Sequence, residues 1–119
     1  MNNCIFCKII RKESPAKIVF EDDDILALLP KEKVSKGHTL IIPKKHFENI
    51  FDIDTIILEK LITVSKTLSE RLSKESNATG INLLHASGKD AQQSVAHFHL
   101  HIIPRYKNDG LDLWLREKL

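Results

Sequence analysis

His97-Phe98-His99-Leu100-His101-Ile102-Ile103-Pro104 is the stretch from which the rest of the chain can be read. Three histidines alternate with apolar residues, and a period of two is that of an extended strand, whose successive side chains point to opposite faces. His97, His99 and His101 therefore share one face, roughly 6.5 Å apart along it, while Phe98, Leu100 and Ile102 enter the core. Pro104 reads as the stop, because it brings no N–H to a ladder. One half-exposed histidine on a strand is ordinary. Three in register repel one another if protonated and cost desolvation if buried, so they imply a metal, a phosphate or another ligand. A neutral imidazole keeps a lone pair usable as a nucleophile, and a protonated neighbour stabilises an anion. The chemistry indicated is phosphoryl or nucleotidyl transfer.

Working outward, Gln93-Ser94-Val95-Ala96 leads into this strand, and its amide and hydroxyl suit phosphate oxygens or a leaving group. Before it, residues 80–85 read as another strand, joined through a turn containing Ser87, Gly88 and Lys89. Ile57, Leu58, Leu61, Ile62, Leu68 and Leu72 recur at helical spacing down to about Ser76, with Asp52 or Asp54 as the cap. Residues 17–21 and 25–29 form a hairpin across an acidic turn, and residues 38–42 form a strand ended by Pro43. Ile5, Phe6, Ile9 and Ile10 mark a short helix closed by Ser14-Pro15. Five strands around one long and one short helix predict an α+β domain. Its sheet is mainly antiparallel, with the helices on one face.

With 119 residues, 42% hydrophobic and 29% charged, the chain reads as one globular domain over residues 1–119, without repeats or a linker. Eighteen Lys+Arg against sixteen Asp+Glu leave +2, too balanced for a broad field toward nucleic acid or anionic lipid. No apolar run approaches the roughly 18 residues of a membrane span, and no leader pattern is seen, so a cytoplasmic location is expected. Cys4 and Cys7 then pose a metal or redox question instead of a disulfide. A zinc site needs two more ligands, and His46 and His97 are candidates; a structural or redox pair is the alternative. His38 and His85 stand outside any constellation and read as structural histidines.

These features together resemble the histidine triad (HIT) family, in its branch of small nucleotide-binding phosphoramidases and related dinucleoside polyphosphate hydrolases. The resemblance covers nearly the whole chain. It is carried by Cys4-Ile5-Phe6-Cys7-Lys8-Ile9-Ile10, by Ile41-Ile42-Pro43-Lys44-Lys45-His46, and by the run from Gln93 to Arg105. It implies a homodimer whose two sheets join edge to edge, with a purine nucleotide of AMP or GMP type in each protomer. By similarity His99 is the nucleophile, forming a nucleotidyl-histidine that water hydrolyses to the nucleoside monophosphate, with His101 and Ser94 assisting. Gln93, Ser94 and the Val95 amide match phosphate and leaving-group contacts, and Ile5, Phe6, Ile9 and Leu28 match the base pocket. Cys4, Cys7, His46 and His97 match a structural zinc site that would pin the N-terminal helix to the catalytic strand.

The chain departs from the family pattern at three places. Pro30 stands where an Asp usually binds the ribose hydroxyls, Ala86 where an Asn or Gln touches phosphate, and Gln92 where a Gly precedes Gln93. If that last position needs a positive φ, Gln92 is strained. Trp114 lies in a C-terminal tail that in relatives can reach the partner's site, and serves either the leaving-group side or as a buried anchor. Two other readings stay open: a dinucleoside polyphosphate hydrolase, and a nucleotide-binding interaction protein with vestigial catalysis.

Overall fold

The structure is a computed structural model that describes residues 3–116; the ends of the 1–119 domain reading, residues 1–2 and 117–119, lie outside the described residues. In chain order the elements are α1 (Ile5–Ile10), β1 (Lys17–Glu21), β2 (Ile25–Leu29), β3 (Thr39–Pro43), α2 (Thr55–Ser76), β4 (Gly80–Leu84) and β5 (Leu100–Arg105). The strands form one sheet in the order β1-β2-β3-β5-β4, every neighbouring pair antiparallel. This is the expected α+β, five-stranded architecture.

Local chemistry sets the ends of these elements. Asp22 turns β1 into β2 by accepting from the amides of Asp24 and Ile25 on one carboxylate oxygen. Asp54, and not Asp52, caps α2, accepting from Ile57 N at 3.1 Å; Asp52 instead closes the preceding turn by accepting from Glu48 N and Asn49 N. The first helix ends at Ile10, before Ser14-Pro15. Lys12 takes a left-handed φ of 65°, and the amides of Lys12 and Glu13 return to the carbonyls of Ile9 and Lys8, which closes the last turn without proline.

The expectation that both helices lie on one face is overturned. α2 buries Leu61 and Leu68 against Ala27, Ile41, Leu100 and Ile102, whereas α1 packs Phe6 and Ile9 on Leu26, Leu28, Leu40 and Ile42. The physical reason lies in β2 and β3, which are apolar at consecutive positions; such strands need cover on both faces. On α2 the buried line passes through Leu61, Ser65 and Leu68, and Ile62, roughly 100° round the helix, is 51% exposed. Ser65 satisfies its hydroxyl by donating to Leu61 O at 2.7 Å.

The ladder of β5 differs from the reading of residues 97–103. It starts at Leu100 and continues through Pro104, opposite Ile81, to Arg105, opposite Gly80. Proline is tolerated because β3 pairing has already ended at Ile102, leaving that side of β5 open. Likewise β3 begins at Thr39 and β4 ends at Leu84, so His38 and His85 fall just outside their strands. Past β5, Arg105 grips Asp109 with Nε and Nη2 and reaches Leu111 O, and this guanidinium holds the Asp109 carboxyl well below its usual range. Trp114, beyond that clasp, is 67% exposed and is therefore not a buried anchor within this chain.

Candidate active site and metal cluster

Register places the site. Ile18 pairs with Leu28, Leu28 with Leu40, and Leu40 with His101, so these four side chains form one row across the sheet face that α1 covers. A cleft of about 880 Å³ opens over Leu28, Leu40 and His101 of that row. Ile5, Phe6 and Ile9 of α1 form one wall and Leu28 and Leu40 the floor, while Ser94, Val95, His99 and His101 line the polar end. The apolar residues expected at a base pocket are thus brought together, with Leu40 in addition. Pro30 also lines the cleft and offers no side-chain acceptor.

The three triad histidines share a face as expected, yet hydrogen bonding gives each a different task. His99 Nδ1 lies 2.8 Å from the carbonyl of His97. A carbonyl only accepts, so Nδ1 carries the proton and Nε2 keeps the lone pair. His97 is inverted: its Nε2 donates to Pro43 O at 2.9 Å, leaving Nδ1 as the lone pair. For His101 the tautomer is set at second hand. Val34 N donates to His38 Nδ1 at 3.1 Å, so His38 donates from Nε2 to His101 Nδ1 at 3.0 Å, and the His101 proton sits on Nε2.

Burial keeps this group neutral. Desolvation pushes His97 and His101 down to about 4, and it lowers His99 and His38 as well; for His99 the bond to the His97 carbonyl opposes the shift. At neutral pH the cleft end therefore presents an unprotonated Nε2 on His99 beside a donating Nε2–H on His101.

His38 was read as structural and is a member of this network. Its signal was available: His38, Leu40 and Ile42 alternate, which puts His38 on the cleft face. His85, read the same way, donates from Nδ1 to the carbonyl of His99 at 2.9 Å.

Loop 86–95 is where sequence and structure part. Ser94 and Val95 reach the cleft, but Gln93 does not line it. Its amide nitrogen donates to Glu48 O at 2.6 Å and Val95 O at 2.9 Å, and its oxygen accepts from Gly88 N at 2.7 Å. Gln93 is a clasp that closes the loop and fastens it to the turn before α2. Gln92 has a φ of 70°, the left-handed conformation that a glycine would adopt without strain.

On the other side of His97 the cysteines meet the two expected histidines. His97 Nδ1 lies 3.3 Å from Cys4 Sγ, 3.6 Å from Cys7 Sγ and 3.1 Å from His46 Nδ1, and Cys7 Sγ lies 3.2 Å from His46 Nδ1. All four ligand atoms fall within 4.8 Å of one another. A zinc tetrahedron with bonds of roughly 2.0–2.3 Å has edges of about 3.3–3.8 Å, so the set fits a borderline-soft cation with little movement. The His97 Nε2 bond to Pro43 O is the outer contact that orients such a ligand. These four residues could bind a metal.

The family profile described as "HIT domain" matches residues 11–108. A solved structure titled as a Zn-bound histidine triad family protein from Mycobacterium smegmatis is 32% identical, with a TM-score of 0.89 over 92% of this chain and 80% of that one. A histidine triad nucleotide-binding protein from Candida albicans is 33% identical, with a TM-score of 0.86 over 98% of this chain and 85% of that one. The "Adenylylsulfatase HINT3" of Arabidopsis thaliana is 38% identical over 118 residues, 99% of this chain and 59% of that protein. With a histidine triad on one sheet face and the matched profile spanning most of its length, the chain belongs to the HIT domain family.

Proposed function

We propose that the protein is a purine nucleotide phosphoramidase and nucleotidyl hydrolase, a single HIT domain over residues 1–119 acting as a cytoplasmic homodimer. His99 Nε2 attacks the α-phosphorus, a P–N bond to His99 forms, and the bond to the leaving amine breaks as the amine takes a proton. Water then cleaves the nucleotidyl-histidine, releasing AMP or GMP and restoring the imidazole. During the covalent step the positive charge on the His99 ring is met by the His97 carbonyl at Nδ1. His101 Nε2–H donates to the phosphoryl group or the departing atom, and Ser94 and the Val95 amide complete the anionic end. Ile5, Phe6, Ile9 and Leu28 hold the base. Gln93 acts on phosphate only through the loop it clasps.

Zinc, held by Cys4, Cys7, His46 and His97, supplies a structural cross-link between α1 and the triad. The observation that carries the reading is the His99 lone pair, aimed into the cleft because His97 O fixes the proton on Nδ1. The test is hydrolysis of a fluorogenic adenosine 5′-phosphoramidate. Wild type is expected to release AMP and His99→Ala none; equal rates would overturn it. A second reading, a nucleotide-binding protein with vestigial turnover, draws on the occupied Gln93 amide and on Pro30 at the sugar end. Tight AMP binding with a rate equal to that of His99→Ala would select it. Preference for diadenosine polyphosphates would select the polyphosphate hydrolase.

A further inference from the structure

Residues 97–99 lie beyond both ladders of β5, since pairing with β3 begins at Leu100 and pairing with β4 ends at Leu84 opposite His101. The segment that carries the nucleophile is therefore held by other bonds. Phe98 N donates to Phe47 O at 2.7 Å. The carbonyl of His99 is taken by the side chain of His85, whose ring stacks on Phe98 with centroids 4.2 Å apart and planes 23° from parallel. Because that carbonyl accepts, His85 carries its proton on Nδ1, and its Nε2 accepts from the Ser87 hydroxyl. Ser87 Oγ in turn accepts from Ile50 N at 2.9 Å.

This chain of bonds reaches His99 from behind. Phe98, against which His85 stacks, belongs to the core on the α2 face, and His85 does not line the cleft. Its far end, Ser87, stands in the same loop as Ser94. That loop is bound to the turn before α2 twice, by Ser87 to Ile50 and by Gln93 to Glu48.

We propose that His85 is a positioning residue for His99: it holds the carbonyl of the nucleophile from the opposite sheet face, and through Ser87 ties its aim to the loop bearing Ser94. The inference rests on His99 being the nucleophile. A lost hydrogen bond here leaves the His99 peptide without a ladder partner, and a displacement of about 1 Å at a reacting group costs up to 100-fold in rate.

The test compares His85→Phe, which keeps the ring stack without the bonds, with His85→Asn, whose amide N–H replaces Nδ1, and Ser87→Ala. Adenosine phosphoramidate hydrolysis, AMP binding and melting are measured on each. His85→Phe is expected to lose about tenfold or more in kcat, with KM and AMP affinity within about twofold of wild type. His85→Asn should recover most of that loss, and Ser87→Ala should show a smaller one. Unchanged kcat in His85→Phe, no recovery in His85→Asn, or AMP affinity falling in step with kcat would overturn the proposal.

A readout independent of turnover is the NMR signal of the His99 Nδ1 proton. It should be observable in wild type, broadened by exchange in His85→Phe and restored in His85→Asn; an unaltered signal in His85→Phe also overturns the proposal. Absence of AMP release by wild type together with this NMR pattern would remove the hydrolase reading and leave His85 as the residue that aims His99.

Discussion

His97 and His99 are the same residue type on the same face of the same segment, two positions apart, and they do opposite work. His97 turns Nδ1 toward two thiol sulfurs and a second imidazole, while His99 turns Nε2 toward an 880 Å³ cleft. The difference does not lie in burial, since both are nearly inaccessible at 0% and 5%. It lies in which nitrogen a backbone carbonyl occupies: Nε2 of His97 meets Pro43 O, and Nδ1 of His99 meets His97 O. A carbonyl partner selects the tautomer, and in the proposed reading the tautomer decides between ligand and nucleophile.

The largest expected effect falls on the cleft side alone. His99→Ala should lower kcat by at least about a thousandfold while leaving metal content and melting temperature close to wild type. On the metal side, Cys7→Ser should abolish near-stoichiometric zinc and cost roughly 2–4 kcal/mol, read as a melting midpoint about 10 °C or more lower. If Cys7→Ser binds nucleotide as wild type does, the two sides are uncoupled; the account expects weaker AMP binding, because α1 carries Cys7 and the Ile5, Phe6 and Ile9 wall and is capped by Cys4.

Acid sharpens the comparison. An unfolded imidazole takes its proton near 6.5 and His101 in the fold near 4, so stability from this group is full above pH 6.5 and is lost as pH falls toward 4. The loss by pH 5 is at most roughly 2 kcal/mol, measurable in urea midpoints at pH 7 and 5. In the same direction, kcat/KM should show no acid limb at 6.5, since burial also lowers His99.

His38→Phe removes the donor that fixes His101. It should cost about tenfold in kcat without touching the zinc site, and an unaltered rate would show that His101 needs no fixed tautomer. The smallest effect belongs to Gln92→Gly, expected to stabilise the protein by up to about 1 kcal/mol by relieving a left-handed non-glycine residue.

Patterns of period made the fold and the triad face legible. Alternation at 97–102 marked the histidine face, the apolar runs of β2 and β3 marked strands, and the spacing of Leu61, Leu68 and Leu72 marked α2. Bonds between segments far apart in the chain have no such period. Nothing near Gln93 tells that its amide meets Glu48 O, forty-five residues earlier. Nothing near His85 tells that it ends on the carbonyl of His99. The side of the sheet taken by α1 was readable in principle, because strands apolar at every position need two covers. Pro104 misled because a proline stops a ladder only where its missing N–H is needed.

The central claim is that His99 Nε2, and not His101 or a water molecule, attacks the phosphorus. Mixing wild type with an adenosine 5′-phosphoramidate, quenching with alkali to spare the acid-labile P–N bond, and mapping the adduct by mass spectrometry tests it most directly. The account predicts an adenylyl group on the peptide at His99, absent from His99→Ala. AMP release with the label on His101, or with no labelled histidine in a quench fast enough to catch the first turnover, would contradict it.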